Sequence, residues 1–491
     1  MSDNLTAAIL GRNSANHPDK AALLFEQRRI THAELELETL RLAAELVRRG
    51  VAPGDRVALL MPDSPAMLEW FLAALLAGAI AVPINERVSL TDREFILKDA
   101  NPVLLVVAAG RDHETNWSGT VLHADLADPA GKAGEGQAFV PHVPATNDPA
   151  YMLYTSGSTG KPKGVVHSQG DLFMHEKAFG PAILGDASGD VLFSCSKFPF
   201  AYGLGVQAGL AVGLGATLVL HPGPPEASVL LELIRRHAVS VFFAVPTVYQ
   251  SMLRERTGQE DVSSLRMCYS AGEAMPSPVH EALRAWLGVD VLDGYGSTET
   301  SFVVISNMPG RIRPGTLGEA VPGYTIRLEG EDGREAAEGA SGRVLVRGPG
   351  LSKGYWNRPE ATVQNMRADG WLDTGDLCAF ENGAYRYLGR ADDMIKTGGQ
   401  WVSPVAVEDC LLTHSAVAEC GVARYTMYGF DYPAAFVVAA PGFEAGLELA
   451  GELRRHVRAL LPKHMSPVKV VFMPELPRTA TGKIQRHKLR R

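Results

Sequence analysis

Apolar runs alternate with apolar positions at helical spacing in the N-terminal part of the chain. Ala21–Phe25 predicts a strand, and Thr31 is placed to cap a helix that continues to Arg49, because apolar residues recur within it about every 3.6 residues. Further strands are predicted at residues 57–61, 80–82 and 104–107. Strand, helix and strand in succession are typical of a largely parallel α/β sheet.

The alternation continues along the chain and then changes character. Strands are predicted at residues 191–195, 216–220, 241–245 and 291–292, with a helix around residues 229–237. After about Gly310 the sequence consists of short β segments with Gly and Pro turns, at residues 325–328, 342–346 and 385–387. This texture predicts a small β subdomain, with residues 371–376 in one of its loops.

The C-terminal part has a pattern of its own. Ser403 is placed to cap one helix, and a second helix with apolar residues on one face is predicted to end at Pro462. A charged linker at residues 389–393 precedes both. We therefore predict an α/β protein. Its large N-terminal domain (residues 1–391) has mixed, mostly parallel sheets with helices and a small β subdomain. A small mobile α+β domain follows (residues 392–491).

Composition restricts the class of protein. A chain of 491 residues exceeds what one core usually organises, and 46% hydrophobic residues suffice for large cores. The formal net charge of −8 argues against a general affinity for nucleic acid or anionic membranes. Five scattered cysteines favour reduced thiols. With no visible secretory signal and no apolar run long enough to span a bilayer, we expect a cytoplasmic protein, as a monomer or homodimer.

Residues 154–164 form the first candidate for chemistry. They contain three glycines, four Ser or Thr residues and two lysines, and such a backbone can turn several N–H groups toward one phosphate. Only Ser158 and Thr159 separate Gly157 from Gly160, so the segment is not the ordinary P-loop. The alternative is a flexible solvated turn; the two lysines that follow favour phosphate.

A second polar segment, residues 293–299, follows the strand predicted at residues 291–292. In open α/β sheets, ligands collect beyond the carboxyl ends of strands. We therefore expect both polar segments to face one ligand.

Five motifs carry a family resemblance. Residues 154–164, 295–300, 371–376, 389–393 and 481–483, in this order, together resemble the adenylate-forming superfamily of acyl-CoA synthetases, adenylation domains and luciferases. Residues 197–203, 242–249 and 270–273 are most similar to the benzoate-CoA ligase branch. The resemblance implies two half-reactions. A carboxylate attacks the α-phosphorus of ATP to give acyl-AMP and pyrophosphate, and a thiol then displaces AMP.

The resemblance also implies the catalytic groups. Charge that develops at the α-phosphorus needs a cation and hydrogen-bond donors. Lys483 is implied as the cation, Thr298 as a donor to the α-phosphate, and Glu299 as the ligand of Mg²⁺. ATP and AMP binding is implied for Thr155, Ser156, Ser158, Thr159, Lys163, Glu273, Asp293, Gly294, Tyr295, Asp376 and Arg390. Some of these roles have structural alternatives. They are a solvated lysine in the tail for Lys483, an exposed glutamate at a helix start for Glu299, core packing for Tyr295, and a surface ion pair for Asp376 and Arg390.

The second half-reaction involves a further set of residues. Asp392 corresponds to the family hinge, about which the C-terminal domain would rotate to withdraw Lys483. Gly398, Gly399 and Trp401 would then line the path of the CoA pantetheine. The alternative for the two glycines is a plain turn.

The acyl pocket implied by the resemblance contains no charged side chain. It comprises Ala201, Tyr202, Ser270, Ala271, Gly272, Phe302 and Val303. Amino-acid activators of the family carry an aspartate near residues 198–202, and this chain has none there. Several benzoate-type ligases carry His where this chain has Phe302. We therefore expect a hydrophobic aryl, alicyclic or medium-chain acid.

Three functions are compatible with these motifs. The first is an ATP-dependent carboxylic acid:CoA ligase that uses Mg²⁺. The second is a stand-alone adenylation enzyme that loads the phosphopantetheine of a carrier protein. The third is a non-catalytic nucleotide-binding module, which the presence of Lys483, Glu299 and Asp376 disfavours.

Overall fold

The structure is a computed structural model that describes residues 4–110, 116–127, 139–156, 161–478 and 484–489. Its first elements are α1 (Leu5–Asn16), β1 (Ala21–Phe25), β2 (Arg28–Thr31), α2 (His32–Arg48), β3 (Arg56–Leu60), α3 (Pro65–Leu76), β4 (Ile80–Ile84), α4 (Leu90–Ala100), β5 (Leu104–Ala108) and β6 (Thr120–Ala124). The next are β7 (Tyr151–Ser156), β8 (Pro162–His167), α5 (Gln169–Lys177), β9 (Val191–Ser194), α6 (Ala201–Leu204), β10 (Thr217–Leu220), α7 (Ala227–His237), β11 (Val241–Ala244), α8 (Pro246–Glu255), β12 (Met267–Ala271), α9 (Ser277–Leu287), β13 (Asp290–Gly296) and β14 (Val303–Ser306). Gly180–Leu184 and Gly205–Val212 are π-helical.

The remaining elements belong to the small sheets and the C-terminal part. They are β15 (Glu319–Ala320), β16 (Thr325–Glu329), β17 (Ser341–Arg347), β18 (Gly354–Tyr355), α10 (Pro359–Asn365), β19 (Leu372–Glu381), β20 (Ala384–Arg390), β21 (Ile395–Thr397), β22 (Gln400–Val402), α11 (Pro404–Leu412), β23 (Val417–Met427), β24 (Phe430–Ala439), α12 (Leu447–Leu460), β25 (Lys469–Phe472) and α13 (Arg486–Leu489). Short 3₁₀ turns lie at Ala391–Asp393 and Lys463–Met465.

Two large sheets with mostly parallel strands form the N-terminal part. One has seven strands in the order β18-β8-β7-β4-β3-β5-β6, and the other has nine in the order β15-β14-β13-β12-β11-β9-β10-β1-β2. The antiparallel pairs are β18–β8 and β8–β7 in the first sheet and β15–β14, β14–β13 and β1–β2 in the second. The prediction of mixed, mostly parallel sheets is confirmed.

The helix caps and the core agree with the hydrophobic pattern. The Thr31 hydroxyl accepts the N–H of Glu34, and the Glu34 carboxylate accepts the N–H of Thr31, so α2 starts in a capping box. Every residue of α3 is buried, and the helix lies in a single hydrophobic cluster with residues from both large sheets. That cluster ties the two sheets into one rigid support.

The small β subdomain is the four-stranded antiparallel sheet β16-β17-β19-β20. The expectation that residues 371–376 form a loop is wrong, because Leu372 to Asp376 begin strand β19. Their turn-like composition is accommodated within the sheet: Gly375 adopts a φ of 72°, and the Asp373 carboxylate pairs with Arg343 and Arg367, both at 3.1 Å. Residues 372–376 are therefore part of a strand whose polar side chain Asp373 is held by ion pairs.

The C-terminal part has separate sheets and separate cores. β21 pairs with β22, and β23-β24-β25 form a three-stranded sheet whose buried residues pack with those of α11 and α12. Leu449, Leu453 and Val457 form the buried face of α12, whereas Leu460 is exposed at its end.

All five cysteines lie within the described residues and are buried free thiols. Among the described residues, no helix combines the length and the apolar character needed to cross a bilayer.

Candidate active site

The structure brings the base of the β7–β8 hairpin beside the turn that follows β13. Tyr151 and His167 are direct partners in the hairpin, and their rings stack with centroids 5.1 Å apart. Nε2 of His167 donates to the backbone carbonyl of Thr298 at 2.7 Å. The strand that follows the first polar segment is thus bonded directly to the second polar segment, although the two belong to different sheets.

A second link between these segments runs through Tyr355 on the edge strand β18. Its hydroxyl donates to Oε1 of Glu299 at 2.8 Å, and Nζ of Lys163 lies 5.6 Å from the centre of its ring. β18 pairs directly with β8, and the Ser352 N–H donates to the Glu299 carbonyl at 2.8 Å. The Glu299 carboxylate is therefore held close to the strand that carries Lys163.

Asp376 is the centre of a polar cluster that includes Tyr295 of β13. The Tyr295 hydroxyl donates to one carboxylate oxygen at 2.6 Å and the Tyr387 hydroxyl to the other at 3.1 Å. Nη1 of Arg390 lies 3.6 Å from the same carboxylate and donates to the Thr374 carbonyl at 3.2 Å. Asp376 is only 5% exposed, and Asp376 and Arg390 are direct partners across β19 and β20. The surface Asp–Arg pair considered above is thus replaced by a buried, multiply bonded carboxylate.

Asp293 and Gly294 lie within β13, and Glu273 follows β12. Burial raises the pKa of the Asp293 carboxyl to about 7, although the Met275 N–H donates to it at 3.2 Å. A Cβ on Gly294 would lie 2.2 Å from the hydroxyl of Tyr269, so only glycine fits there. Asp293 also lines a cavity with Leu317 and with Asp409 of α11, so it faces the C-terminal part.

The raised pKa of Asp293 leads to a stability prediction. Since its pKa in the fold lies above the ordinary value, the carboxyl favours the fold most below about pH 4, and this contribution is lost as pH rises toward 7. The free energy of unfolding of the wild type should therefore decrease between pH 4.5 and pH 7.5. In Asp293→Asn we expect this decrease to be smaller by roughly 2–4 kcal/mol. Urea unfolding at both pH values measures this. Asp290→Asn, on the same strand but more exposed, is the control, and an equal slope in both variants would contradict the prediction.

The predicted acyl-pocket residues gather at the ends of α6, β12 and β14. The Phe302 ring lies 5.9 Å from Tyr202 and 5.0 Å from both Phe179 and His175. The Tyr202 hydroxyl donates to the Tyr269 carbonyl at 2.9 Å. Ala201 lies beside Tyr202 on α6, Ser270 and Ala271 end β12, Gly272 follows it with a φ of 92°, and Val303 begins β14. The structure thus brings this set together as an uncharged group that includes the aromatic rings of Tyr202 and Phe302.

A buried carboxylate outside every motif supports this pocket. Asp63 accepts the backbone N–H of Phe198 at 2.9 Å and the side-chain amide of Gln207 at 2.8 Å. Burial raises its pKa, although nearby Lys197 and the two donated bonds oppose the rise. Asp63 therefore holds both ends of the segment that presents Ala201 and Tyr202.

The predicted CoA segment lies elsewhere. Gly398 and Gly399 form the turn between β21 and β22 with φ of 57° and 82°. Trp401 is 46% exposed; its Nε1 donates to Oε1 of Glu331 in the β subdomain at 2.9 Å, and Lys396 lies over its ring. Asp392 is exposed in the 3₁₀ turn between β20 and β21. The structure therefore places this segment against the β subdomain.

Three predicted site residues and the side chain of a fourth lie outside the part of the chain that the structure describes. Ser158, Thr159, Lys483 and the side chain of Ser156 lie outside the described residues, whereas Thr155 is paired with Lys163 in the β7–β8 hairpin.

The motifs do not predict Tyr355, Tyr387 or Asp63. Tyr355 and Asp63 form hydrogen bonds to residues far away in sequence, and Tyr387 forms one to a residue on the neighbouring strand. One signal could have identified Tyr387. A strand at residues 385–390 that pairs Arg390 with Asp376 would bring Tyr387 near Asp376.

Comparisons with known proteins agree over the whole chain. An AMP-binding enzyme family model matches residues 10–356, and an AMP-binding enzyme C-terminal domain model matches residues 406–483. A benzoate–CoA ligase of Thauera aromatica is 37% identical over 506 residues, which cover 99% of this chain and 95% of that protein. A solved structure of a benzoate CoA ligase from Burkholderia xenovorans LB400 has a TM-score of 0.91 at 34% identity and covers 99% of both chains. An anthranilate CoA ligase in complex with anthranoyl-AMP has a TM-score of 0.91 at 33% identity and covers 99% of this chain and 96% of that one.

Proposed function

The chain belongs to the AMP-binding enzyme family, and on that premise we propose that it activates an aromatic carboxylic acid with ATP and passes the acyl group to the thiol of CoA. The acid attacks the α-phosphorus, which gives acyl-AMP and pyrophosphate, and the thiol then displaces AMP. One observation carries the proposal for this chain: Phe302 of the aromatic pocket and Glu299 of the polar turn lie three residues apart in one turn. An acid held against Phe302 would thus present its carboxylate to that turn.

The substrate we propose is an aryl acid of about the size of benzoate. The relatives named above act on benzoate and anthranilate, and the predicted pocket residues include no charged side chain. Aromatic rings pack favourably edge-to-face or offset, as Phe302 already does with Phe179 and Tyr202.

In the first half-reaction we assign the phosphates of ATP to the β7–β8 hairpin and the turn after β13. Lys163, with Ser158 and Thr159, binds the β- and γ-phosphates, and Thr298 donates to the α-phosphate. Lys483 supplies the cation that offsets charge developing at the α-phosphorus.

The enzyme family uses Mg²⁺, and the Glu299 environment fits this ion. Mg²⁺ is usually held by one or two carboxylates together with substrate phosphates. The Tyr355 hydroxyl orients the Glu299 carboxylate through Oε1, and a carboxylate is a ligand that this hard cation prefers. When bound, the ion would neutralise phosphate charge.

The nucleoside is assigned to the Asp376 cluster. The Asp376 carboxylate is buried, only accepts hydrogen bonds, and is oriented by the Tyr295 and Tyr387 hydroxyls, so its chemistry suits the two ribose hydroxyls. Arg390 completes this site. Glu273, Asp293 and Gly294 are assigned to the adenine side of Tyr295.

For the second half-reaction we propose a rotation of residues 392–491 against residues 1–391 about Asp392. The exposed Trp401–Glu331 contact is small enough to break, which supports movement. No atom of the described residues lies within 4 Å of the Cβ positions that Gly398 and Gly399 lack, which leaves room for pantetheine. If this rotation occurs, Lys483 is needed in only one half-reaction.

We propose CoA as the acceptor and the cytoplasm as the compartment, where five free thiols stay reduced. A pyrophosphate-release screen over benzoate, hydroxybenzoates, anthranilate, cyclohexanecarboxylate and hexanoate, followed by thioester assays, tests this function. Release with aryl acids and thioester formation with CoA alone are expected. Release with aliphatic acids only, or thioester formation only on a carrier protein, would contradict the proposal.

Phe302→Ala is expected to widen the acyl pocket. The ring is 2% exposed, so its removal costs about 3–5 kcal/mol of stability. It should also raise kcat/KM for a bulky substituted benzoate relative to benzoate by about tenfold. Phe193→Ala, in a different buried cluster, is the control: it should lose stability and keep the wild-type acid profile. An unchanged profile in Phe302→Ala places this ring outside the pocket.

A further inference from the structure

Ser301 has a backbone conformation that residues other than glycine seldom adopt. Its φ is 63°, in the left-handed region, and it lies between Thr300 and Phe302 with only 1% of its surface exposed. Thr300 closes the turn around it, because Oγ1 accepts the Ser297 N–H at 2.8 Å and donates to the Phe302 carbonyl at 2.7 Å. Such conformations persist where surrounding contacts over-determine them, and they cluster at functional sites.

The Ser301 hydroxyl is bonded by two buried rings. It lies 2.8 Å from the Tyr151 hydroxyl and 3.1 Å from Nε2 of His175. Burial lowers the pKa of His175 to about 3 and raises the pKa of Tyr151 well above its ordinary value, so both rings stay neutral. The cluster is a set of neutral hydrogen bonds, which does not change with pH in the working range.

The two rings belong to the two parts of the site. Tyr151 begins β7, and its hairpin partner His167 donates to the Thr298 carbonyl, so the β7–β8 hairpin holds the turn at Thr298 and again at Ser301. His175 lies on α5 and packs against the Phe302 ring at 5.0 Å. The Ser301 hydroxyl is thus bonded to the hairpin through Tyr151, and it is bonded to His175, whose ring packs against Phe302 of the acyl pocket.

We propose that Ser301 is a positioning residue that fixes the acid pocket at Phe302 relative to Thr298, Glu299 and the β7–β8 hairpin. The proposal rests on the function proposed above. Attack on the α-phosphorus requires alignment of the carboxylate and the phosphate, which are separate molecules at that stage, and a misplacement of about 1 Å can cost about a hundredfold in rate. In acyl-AMP the two groups are joined covalently, so their alignment no longer depends on Ser301.

Half-reaction kinetics test this proposal. Ser301→Ala removes the hydroxyl and keeps the left-handed strain, whereas Ser301→Gly removes both. In each variant we expect kcat for acyl-AMP formation to fall by about ten- to a hundredfold. The rate of thioester formation from supplied acyl-AMP should change by less than about threefold, because the acyl group is already bonded to the phosphate. Tyr151→Phe keeps the stacking on His167 and should give a smaller loss in the same direction.

Ser306→Ala is the matched control, since Ser306 is also buried and its hydroxyl also lies against a tyrosine, Tyr269, at 2.6 Å. Ser306→Ala should lower the rates of both half-reactions by the same factor or leave both rates unchanged. Equal losses in both half-reactions, or none, in Ser301→Ala and Ser301→Gly would overturn the positioning role. A wild-type enzyme that releases no pyrophosphate with aryl acids overturns the proposed function and this inference together.

Discussion

Lys483→Ala is expected to lower the rate of acyl-AMP formation by about a hundred- to a thousandfold. Removal of a single group that stabilises transition-state charge has an effect of this size. The rate of thioester formation from supplied acyl-AMP should stay within about threefold of the wild type, since the proposed rotation about Asp392 would withdraw the lysine in that step. Pyrophosphate release measures the first rate, and CoA consumption with synthetic benzoyl-AMP measures the second.

Lys488→Ala is the matched control for this change. Lys488 is exposed on α13, five positions further along the chain, and its replacement should leave both rates unaltered. Equal losses of both half-reactions in Lys483→Ala would remove this lysine from the role assigned to it and would weaken the case for rotation about Asp392.

Asp376→Asn is expected to lower kcat/KM for ATP by about a hundredfold. The amide has one acceptor oxygen in place of two, and the carboxylate already serves Tyr295 and Tyr387, so the ribose hydroxyls would lose their acceptor. The loss should appear chiefly as a higher KM for ATP, with the KM for the acid little changed.

Initial rates over a range of ATP concentrations at saturating acid measure the effect of Asp376→Asn. Glu381→Gln is the control, because Glu381 lies on the same strand β19 and forms a partly exposed pair with Arg386. If the loss falls on the KM for the acid instead, Asp376 does not bind the ribose.

Local patterns identified the framework of the fold from sequence. Ala21–Phe25, the Thr31 cap and the buried run of α3 depend on neighbours a few positions away, so periodicity and capping chemistry suffice to predict them. Family membership followed from the order of five weak motifs, and it is confirmed by matches along the chain. Residues 371–376 were misassigned because Asp, Thr and Gly favour turns locally, whereas tertiary partners such as Arg343 and Arg367 hold Asp373 in a strand.

The sequence predicted less of the site than of the fold. Motifs predicted that Asp376, Tyr295 and Arg390 share a site, and the structure brings them together. They did not predict Tyr355, which reaches Glu299 from 56 positions away, or Asp63, which holds Phe198 from 135 positions away. A single sequence contains no periodic signal for such pairs, because their proximity depends on how β18 pairs with β8 and how both large sheets pack.

The burial of all five thiols has a chemical consequence for an enzyme that makes acyl-AMP. An acyl adenylate acylates any accessible thiolate, and a cysteine near the pocket would divert the activated acid onto the protein itself. Cys195 and Cys268 lie closest in sequence to the pocket segments, and burial raises the pKa of each to about 12. Burial also raises the pKa of Cys378, Cys410 and Cys420. The incoming CoA thiol therefore meets no competitor from these five side chains, and self-acylation during turnover is suppressed.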